Sequence, residues 1–360
     1  MFPHAQLLFG VLIVAVAALV AWSFWMLPRW SRPGIYFAVT VPLPFLDSPQ
    51  ARAILRGYRL RAMLHVALGF GLIVGGALVE QLGLLALGCV WLVGGPLAAF
   101  LRAHQRVMPF AVEGSTVRQA VLEPRHTQPA GGWLAQAGPF AILIAVAIYL
   151  QFRWNDIPAR FPVHWGIDGQ PNGWSTRTPM GVYAALITSL VVVAGMAVAA
   201  YGIRNLSRNV DSTTIGSVAH DFAHRMGIFL LIMEYFLAMT FSLVALLPLT
   251  GSPGAMSVAV MAFLMLPVLL MLIPWLNKGR AHDLGGSLVT LGAAPVGDGT
   301  LDEHWKMGIF YFNRDDAALF VEKRFGIGYT LNFAHPSAWI CMIVVLLLPV
   351  AALLLIWHQR

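Results

Sequence analysis

The sequence predicts an all-α fold: a polytopic transmembrane helical bundle of about eight spans, with a short inward surface segment near the C-terminus. Composition is the first reason, because 58% of the 360 residues are hydrophobic and only 11% are charged. Soluble domains carry about 25% charged residues. The second reason is a mean hydropathy of +0.73. The third is that the apolar stretches are continuous, which favours spanning helices over the alternating strands of a barrel.

Eight apolar stretches are near the length that a spanning helix needs, which is about 20 residues. They lie at residues 5–27, 61–79, 82–101, 137–152, 179–201, 226–249, 255–276 and 338–357. No basic residue precedes the first stretch and its apolar run is long, so we expect a span rather than a cleaved signal peptide. Cys89 and Cys341 fall in different spans at different depths, and we expect no disulfide between them.

Basic residues beside the spans predict the orientation. They concentrate in four loops, at 28–60, 102–136, 202–225 and 277–337. The positive-inside rule places these loops inside, so both termini and the 153–178 loop are expected outside. The net charge of +7 follows from this pattern, and the expected partner is the lipid bilayer rather than a nucleic acid. Residues 36–45 are apolar and broken by prolines, and we expect them in the membrane interface; a crossing or re-entrant piece there would invert every later side.

The same pattern divides the chain into regions. We expect an N-terminal membrane region at 1–136, a two-span unit around the outward loop at 137–201, a further pair of spans at 202–280, a glycine-rich flexible linker at 281–302, a small inward domain at 303–337 and a last span at 338–360.

The outward loop at 153–178 is dense in residues that fix backbone shape. Pro158 and Pro162 restrict φ, and residues 170–173 have the composition of a turn. His164 can change charge near physiological pH. It is either a polar residue bonded to backbone in a rigid turn, a contact to a ligand or peptide, or a metal ligand with Asp168, although two ligands do not make a metal site. The candidate ligand-binding residues are Phe161, His164, Trp165, Asp168, Asn172 and Trp174.

The run from Pro158 to Ser175, with P-x-x-F-P-x-H-W followed by G-x-P-N-G-W, resembles the signature of a bacterial membrane domain family of unknown function. That domain also forms the N-terminal part of the immunity protein against a sporulation-delaying peptide toxin. Asn172 stands where the signature usually has Asp, and Arg177 lies near a usual Lys. The resemblance implies a bacterial cytoplasmic (inner) membrane location and an immunity or signalling role, with a peptide toxin or small ligand outside. The immunity protein's other conserved half is not evident in this chain.

Residues 303–337 resemble a second small domain of unknown function that is often found in the same membrane proteins. Their aromatic run predicts a short strand or a surface helix, and residues 313–316 predict a turn with a helix cap. The segment is either an amphipathic collar that anchors the last span or a docking surface for a cytoplasmic regulator. The candidate residues for contacting such a partner are Tyr311, Asn313, Asp315, Asp316, Arg324 and Asn332.

Polar residues in or near the spans offer two further sites. An acid at the depth of Glu234 costs about 2.5–3.5 kcal/mol, so it should face the bundle interior. It is either a proton or cation relay or substrate contact, or a protonated carboxyl bonded to a neighbouring helix, with His65 as a candidate partner by depth. His220 and His224 are four residues apart on a helix, which is similar to the zinc-protease pattern with Asp221 in place of Glu.

Three function classes remain open. The first is a toxin-immunity or extracytoplasmic signalling protein, which is not an enzyme and needs no cofactor. The second is a small-solute or proton-coupled transporter that uses Glu234. The third is a membrane-bound metal-dependent hydrolase that uses His220 and His224.

Overall fold

The protein is predominantly helical. The computed structural model describes residues 3–31, 34–113, 129–165, 171–206, 214–250, 298–343 and 347. A seventh helix, α7, begins at residue 336 and is described as far as residue 343. The other long helices are α1 (Pro3–Met26), α2 (Pro49–Leu78), α3 (Leu82–Val107), α4 (Gly132–Phe152), α5 (Pro179–Leu206) and α6 (Thr214–Thr250).

Five helices in the described part of the chain are long and apolar enough to cross a membrane. They are Pro49–Leu78, Leu82–Phe110, Gly132–Phe152, Pro179–Leu206 and Phe222–Thr250. The expectation of eight spans is therefore not confirmed. The first predicted span, at 5–27, falls on helix α1, whose continuously described part is an apolar helix over Ile13–Arg29. The predicted span at 255–276 and most of that at 338–357 lie outside the described residues.

Helix α2 begins earlier than the hydropathy predicted. Ser48 is its N-cap, because the Ser48 hydroxyl accepts a hydrogen bond from the backbone N–H of Ala51 at 3.1 Å. Such a cap satisfies one of the free N–H groups of a helix start. Residues 49–60, expected in a loop, are therefore a basic helical extension of the span. Helix α3 likewise continues beyond its apolar run to Val107.

Helices α2 and α3 form an antiparallel hairpin whose backbones nearly touch. A Cβ atom at Gly69 would lie 2.8 Å from the backbone N of Leu92, and one at Gly88 would lie 2.7 Å from the backbone N of Ile73. Small residues permit this approach, which maximises dispersion contacts where lipid offers no hydrophobic driving force. Helix α1 packs against this hairpin, and the Tyr58 hydroxyl donates to the carbonyl of Phe24 at 2.8 Å.

Helices α4, α5 and α6 form a second group. Their shared core contains Leu143, Leu150, Val182, Leu186, Ala238 and Ala245, all less than 9% exposed. Apolar residues also cover the outside of this group, where Leu134 of α4 is 91% exposed and Val198 of α5 is 69% exposed. Surfaces of that kind are stable only against lipid or protein, which agrees with helices that cross a membrane.

The first six residues of the segment expected in the membrane interface, 36–41, are instead buried in protein. Strands β1 (Ile35–Tyr36) and β2 (Val39–Thr40) form an antiparallel hairpin, and residues 36–41 are at most 7% exposed. Phe37 and Ala38 make its turn with positive φ angles of 46° and 64°. Non-glycine residues in this region are strained. Full burial of Phe37 against the rings of Tyr58 and Phe100 holds the turn.

Residues 298–335, the C-terminal module, contain four short strands and one turn of 3-10 helix, Asp302–His304. The strands are β5 (Trp305–Lys306), β6 (Phe310–Tyr311), β7 (Phe320–Glu322) and β8 (Tyr329–Leu331). Strand β5 pairs with β6 and β7 with β8, both antiparallel. The turn at 313–316 leads to β7, so the expected helix cap is wrong; its polar side chains bond within the module instead. Residues 298–302, expected in the linker, contact the module directly.

The C-terminal module joins both helix groups at one end. Phe325 stacks on Phe100 of α3 with ring centroids 3.5 Å apart. The backbone N–H of Leu319 donates to the carbonyl of Leu206, the last residue of α5, at 3.0 Å. Tyr329 stacks on Phe222 of α6. The basic loops that sequence reasoning placed on one side of the membrane therefore do contribute residues to one contiguous layer.

Removing the Tyr36 hydroxyl should lower the free energy of unfolding at neutral pH. It should also make that free energy depend less on pH in the alkaline range. That hydroxyl donates to the carbonyl of Ala51 at 2.9 Å. Burial raises the pKa of Tyr36 to about 12, and nearby Arg59 acts in the opposite direction. A raised pKa adds stability that is full below pH ~10 and lost as pH rises towards 12, by about 2–3 kcal/mol.

Tyr36→Phe should therefore cost about 1 kcal/mol near pH 7, from the lost hydrogen bond. Between pH 9 and 11 its free energy of unfolding should fall less steeply than that of the wild type. Denaturant titrations of the detergent-solubilised protein at several pH values measure the loss near pH 7 and the slope between pH 9 and 11. Parallel pH curves for the two proteins would contradict the expectation.

Candidate functional site

The loop at 153–178, which the sequence predicts on the outside, folds as a β-hairpin between α4 and α5. Strands β3 (Arg160–Trp165) and β4 (Pro171–Thr176) are antiparallel, with Phe161 opposite Ser175 and Pro162 opposite Trp174. The register shifts on either side of His164, so Val163 and Asn172 are extra residues. Proline occurs in strands only at edges and bulges, because it has no N–H to donate. Residues 171–173, expected in a turn, belong to a strand.

One face of the hairpin is packed on the helix ends. Side chains alternate between the two faces of a strand. Phe161 is 3% exposed and joins the core of Leu150, Ile157 and Val182. Ser175, opposite Phe161, is 5% exposed. This face ties the hairpin to the ends of α4 and α5.

The base of the hairpin is held by Arg177 and by a close approach at Gly181. The Arg177 guanidinium donates to the carbonyls of Asn155 and Ile157, each at 3.1 Å. Its backbone N–H donates to the carbonyl of Ala159 at 3.0 Å. A Cβ atom at Gly181 would lie 2.2 Å from the carbonyl oxygen of Thr176. The hairpin therefore meets the first turn of α5 without any intervening side chain.

The other face of the hairpin is open. Trp174 is 44% exposed, and the guanidinium carbon of Arg160 lies 5.1 Å from the centre of its ring. A cation over an aromatic face at this distance is attracted by about 0.5–1 kcal/mol at an exposed site. Val163, the bulge residue, is 43% exposed. The open face thus combines an apolar surface with a positive charge.

The predicted ligand-binding residues divide between the two faces. Trp174 lies on the open face, whereas Phe161 is packed in the core. His164, Trp165 and Asn172 are described by their backbone in β3 and β4, and Asp168 lies outside the described residues. Sequence reasoning overlooked Arg160 and Val163 as open-face residues. The alternation of Arg160 and Pro162 with Phe161 was the available signal for Arg160, whereas the exposure of Val163 depends on the bulge.

A polar contact joins α4 and α6 inside the second helix group. Glu234 is 0% exposed. The amide of Gln136 donates to Glu234 Oε2, while Glu234 Oε1 is buried with no hydrogen-bond partner among the described residues. The hydroxyl of Tyr235 donates to the carbonyl of Ala135 at 2.9 Å beside it. The expected inward orientation of Glu234 is therefore what the structure shows.

His65 was the expected partner of Glu234, and the structure places it elsewhere. Its ring lies 5.7 Å from that of Trp91. A Cβ atom at Gly95 would lie 2.7 Å from the Cβ of His65. Both contacts are within the α2–α3 hairpin, whereas Glu234 contacts Gln136 of α4. Similar depth along two helices does not bring residues together when the helices pack with other neighbours.

The six candidate residues of the C-terminal module are mostly internal. Among them, only Asp315 is exposed. Asn332 is 0% exposed, accepts from the backbone N–H of Asn313 at 3.0 Å and donates to the carbonyls of Asn313 and Asp316. Tyr311 donates its hydroxyl to Asp316 at 2.9 Å. The buried members of this set close the turns of the module, and docking of a regulator on the module stays a prediction.

Arg324 is the centre of the contact between the C-terminal module and the β1–β2 hairpin. Its side chain is 0% exposed and pairs with Asp298 at 2.9 Å and Asp302 at 2.5 Å. It also donates to the carbonyl of Ala38 at 3.3 Å. Asp302 in turn accepts from the hydroxyl of Thr40 at 2.7 Å. One buried cation thus connects residues nearly 290 positions apart in sequence.

The histidine pair lies at the start of α6. His224 is exposed, and His220 is described by its backbone alone. Within the described residues, no group of three or more His, Cys, Asp or Glu side chains could hold a metal ion.

Two parts of the chain match models of families whose function is not known. Residues 141–188 match the Domain of unknown function (DUF1648), and they cover the end of α4, the β3–β4 hairpin and the start of α5. Residues 314–339 match the Family of unknown function (DUF5808), which covers β7, β8 and the start of α7. Comparisons with curated proteins and with solved structures find no match. Both resemblances are thereby confirmed as domains of unknown function.

Proposed function

We propose that the chain is a bacterial inner-membrane protein of the toxin-immunity or extracytoplasmic signalling type, with both termini outside. It binds a peptide on the open face of the β3–β4 hairpin and is not an enzyme. The observation that carries the proposal is the asymmetry of this hairpin. One face is packed through Phe161, while the other presents Trp174 under the Arg160 guanidinium.

The chemistry of the open face favours one kind of ligand. Tryptophan and arginine carry most of the binding energy in many interfaces. An exposed ring takes an apolar side chain, and a guanidinium takes a carboxylate. A peptide with neighbouring apolar and acidic residues therefore fits Trp174, Val163 and Arg160. The packed face keeps these groups in place before binding, which lowers the entropy cost of association.

Helix α5 supplies a route from the hairpin to the opposite end of the bundle. Gly181 in its first turn meets Thr176 of the hairpin, and Gly202 near its end meets the ring of Phe320 in the C-terminal module. A helix of 28 residues is about 42 Å long and rigid. A shift of the hairpin on ligand binding would reach the module through this helix. A cytoplasmic regulator would then dock on the exposed side of the module that carries Asp315.

Changing Trp174 to Ala should weaken peptide binding strongly while the fold is kept. Decapeptides displayed on phage are selected on the wild-type protein in nanodiscs, and their affinity is measured by biolayer interferometry. Loss of a central aromatic contact costs about 2 kcal/mol or more, which is roughly thirtyfold in affinity. Arg160→Gln should weaken the binding of acidic peptides and reduce its salt dependence.

Met180→Ala is the matched control, because Met180 is 41% exposed at the start of α5 and lies outside the hairpin. It should bind the selected peptides as the wild type does. Hydrogen exchange in β7 and β8 should change when peptide is added to the wild type but not to Trp174→Ala. Equal peptide affinities for the wild type and Trp174→Ala would refute the proposed binding face.

The buried carboxyl of Glu234 supports a second candidate, a proton-coupled carrier. Its unpartnered Oε1 leaves room for a proton or a substrate hydrogen bond between α4 and α6. Glu234→Gln should abolish proton-driven uptake in proteoliposomes tested with a panel of small solutes. Met239→Ala, on the exposed side of the same helix, serves as the control. Uptake by Glu234→Gln at the wild-type rate would reject the carrier role.

A further inference from the structure

Three arginines gather at the end of the α2–α3 hairpin that faces the C-terminal module. Arg61 lies on α2, and Arg102 and Arg106 lie one turn apart on α3. The contact of His65 with Gly95 sets the helices so that Arg61, one turn earlier, is level with residues 99–102. Both α3 arginines are near enough for their charges to repel that of Arg61.

No partner in the described part of the chain relieves this repulsion. Arg61 Nε and Nη2 are buried without a hydrogen-bond acceptor. Among the described residues, Arg61, Arg102 and Arg106 form no ion pair. The Arg61 guanidinium folds back along α2, since a Cβ atom at Gly57 would lie 3.1 Å from Nη2. Buried donors without acceptors are costly, and an anion between the three side chains would satisfy them.

The neighbouring surface indicates what carries that anion. Leu64 and Leu68 follow Arg61 by three and seven residues, so they lie on the same face of α2. They are 60% and 50% exposed within a span, so the hydrocarbon chains of lipids would contact them. An anion that arrives with its own apolar chain would cover both the arginines and the leucines. A dissolved inorganic anion would cover only the arginines.

We propose that Arg61, Arg102 and Arg106 bind the phosphate of an anionic phospholipid, whose acyl chain lies along Leu64 and Leu68. Clusters of basic residues at the end of spans attract anionic headgroups. The guanidinium fork of Arg61 presents two donors in the geometry that suits phosphate oxygens. The site is independent of the peptide-binding hairpin, which lies at the other end of the bundle.

Native mass spectrometry of the delipidated full-length protein in detergent tests the site. Dioleoyl-phosphatidylglycerol is titrated as the probe, and dioleoyl-phosphatidylcholine is the uncharged comparison. Each basic residue contributes roughly fivefold to affinity for an anionic lipid. Arg61→Gln should therefore bind phosphatidylglycerol roughly fivefold more weakly, and the triple glutamine variant roughly a hundredfold. Arg52→Gln, an exposed position on the same helix, should bind as the wild type does.

Gly57→Ala provides a second variant that removes no charge. The added methyl group displaces the Arg61 guanidinium and should weaken phosphatidylglycerol binding, although alanine favours the helix. Millimolar sodium phosphate should not displace the lipid. The proposal is overturned if the triple variant keeps the wild-type affinity, if phosphatidylcholine binds equally well, or if free phosphate displaces the lipid.

Discussion

Arg324→Met should leave the protein unable to keep its C-terminal module docked. The variant removes the donors to Asp298, Asp302, Thr300 and Ala38 at once. It leaves the Asp298 carboxylate, which is 8% exposed, without its cation. Removing one partner of a buried ion pair costs about 3–5 kcal/mol, because the other charge stays buried and uncompensated. We expect a loss of this size in the free energy of unfolding.

A rise in pH should not rescue this variant. Burial alone would lower the pKa of Arg324, but Asp298 and Asp302 outweigh it and raise that pKa. The stability that this cation adds is present below its unfolded pKa and is lost only as pH rises through the still higher folded value. The arginine therefore stays charged as pH rises above neutrality, and the loss in Arg324→Met should be constant over that range.

Denaturant unfolding in mild detergent, followed by tryptophan fluorescence, measures the loss. Trp305 reports on the site directly, because the guanidinium carbon of Arg324 lies 5.3 Å from the centre of its ring. Arg314→Met is the matched control, since Arg314 is an exposed cation of the same module. If both variants unfold at the same denaturant concentration, Arg324 does not hold the module in place.

Gly69→Leu should separate α2 from α3. Even a Cβ atom at this position would lie 2.8 Å from the backbone N of Leu92 and 3.2 Å from the carbonyl oxygen of Gly88. Backbone atoms cannot turn aside as a flexible side chain can, so the helices must move apart along their length. Overpacking of a tight contact costs typically 1–3 kcal/mol and sometimes more. We expect about 3 kcal/mol, because the side chain is large and both neighbours are backbone.

Gly71→Leu is the control, because nothing lies within 4 Å of a Cβ atom at Gly71. Leucine there should raise stability slightly through its better helix propensity. Steric trapping or unfolding in sodium dodecyl sulfate gives the two free energies. A pair of variants with equal stability would mean that the α2–α3 contact is looser than the structure shows.

Much of this protein follows from local patterns in its sequence. Continuous apolar runs predicted the helical membrane class, and the prolines and aromatic residues at 158–174 predicted a shaped segment between two helices. The two regions of resemblance coincide with the matched domains at 141–188 and 314–339. The inward orientation of Glu234 followed from the energy of a charge in lipid alone.

Other features required the folded chain. Residues 36–45 are as apolar as an interfacial segment, and only the packing of 36–41 against Phe100 and the C-terminal module shows that these six are buried in protein. Tyr311, Asn313 and Asn332 have the polarity of surface residues, and only their mutual hydrogen bonds show that they are internal. Hydropathy depends only on the residue type, whereas burial depends on which distant parts of the chain pack against the residue.

By itself, the sequence determined that this is a helical membrane protein with a shaped loop between two spans and a buried acid, because transfer free energies and turn preferences act over a few neighbouring residues. The tertiary structure alone decided that Arg324 meets Asp298, Asp302 and Ala38, that Glu234 meets Gln136 rather than His65, and that Trp174 rather than Phe161 faces outward. Those pairings depend on the path of the whole chain, since electrostatic and packing contacts are set by distance in space and not in sequence.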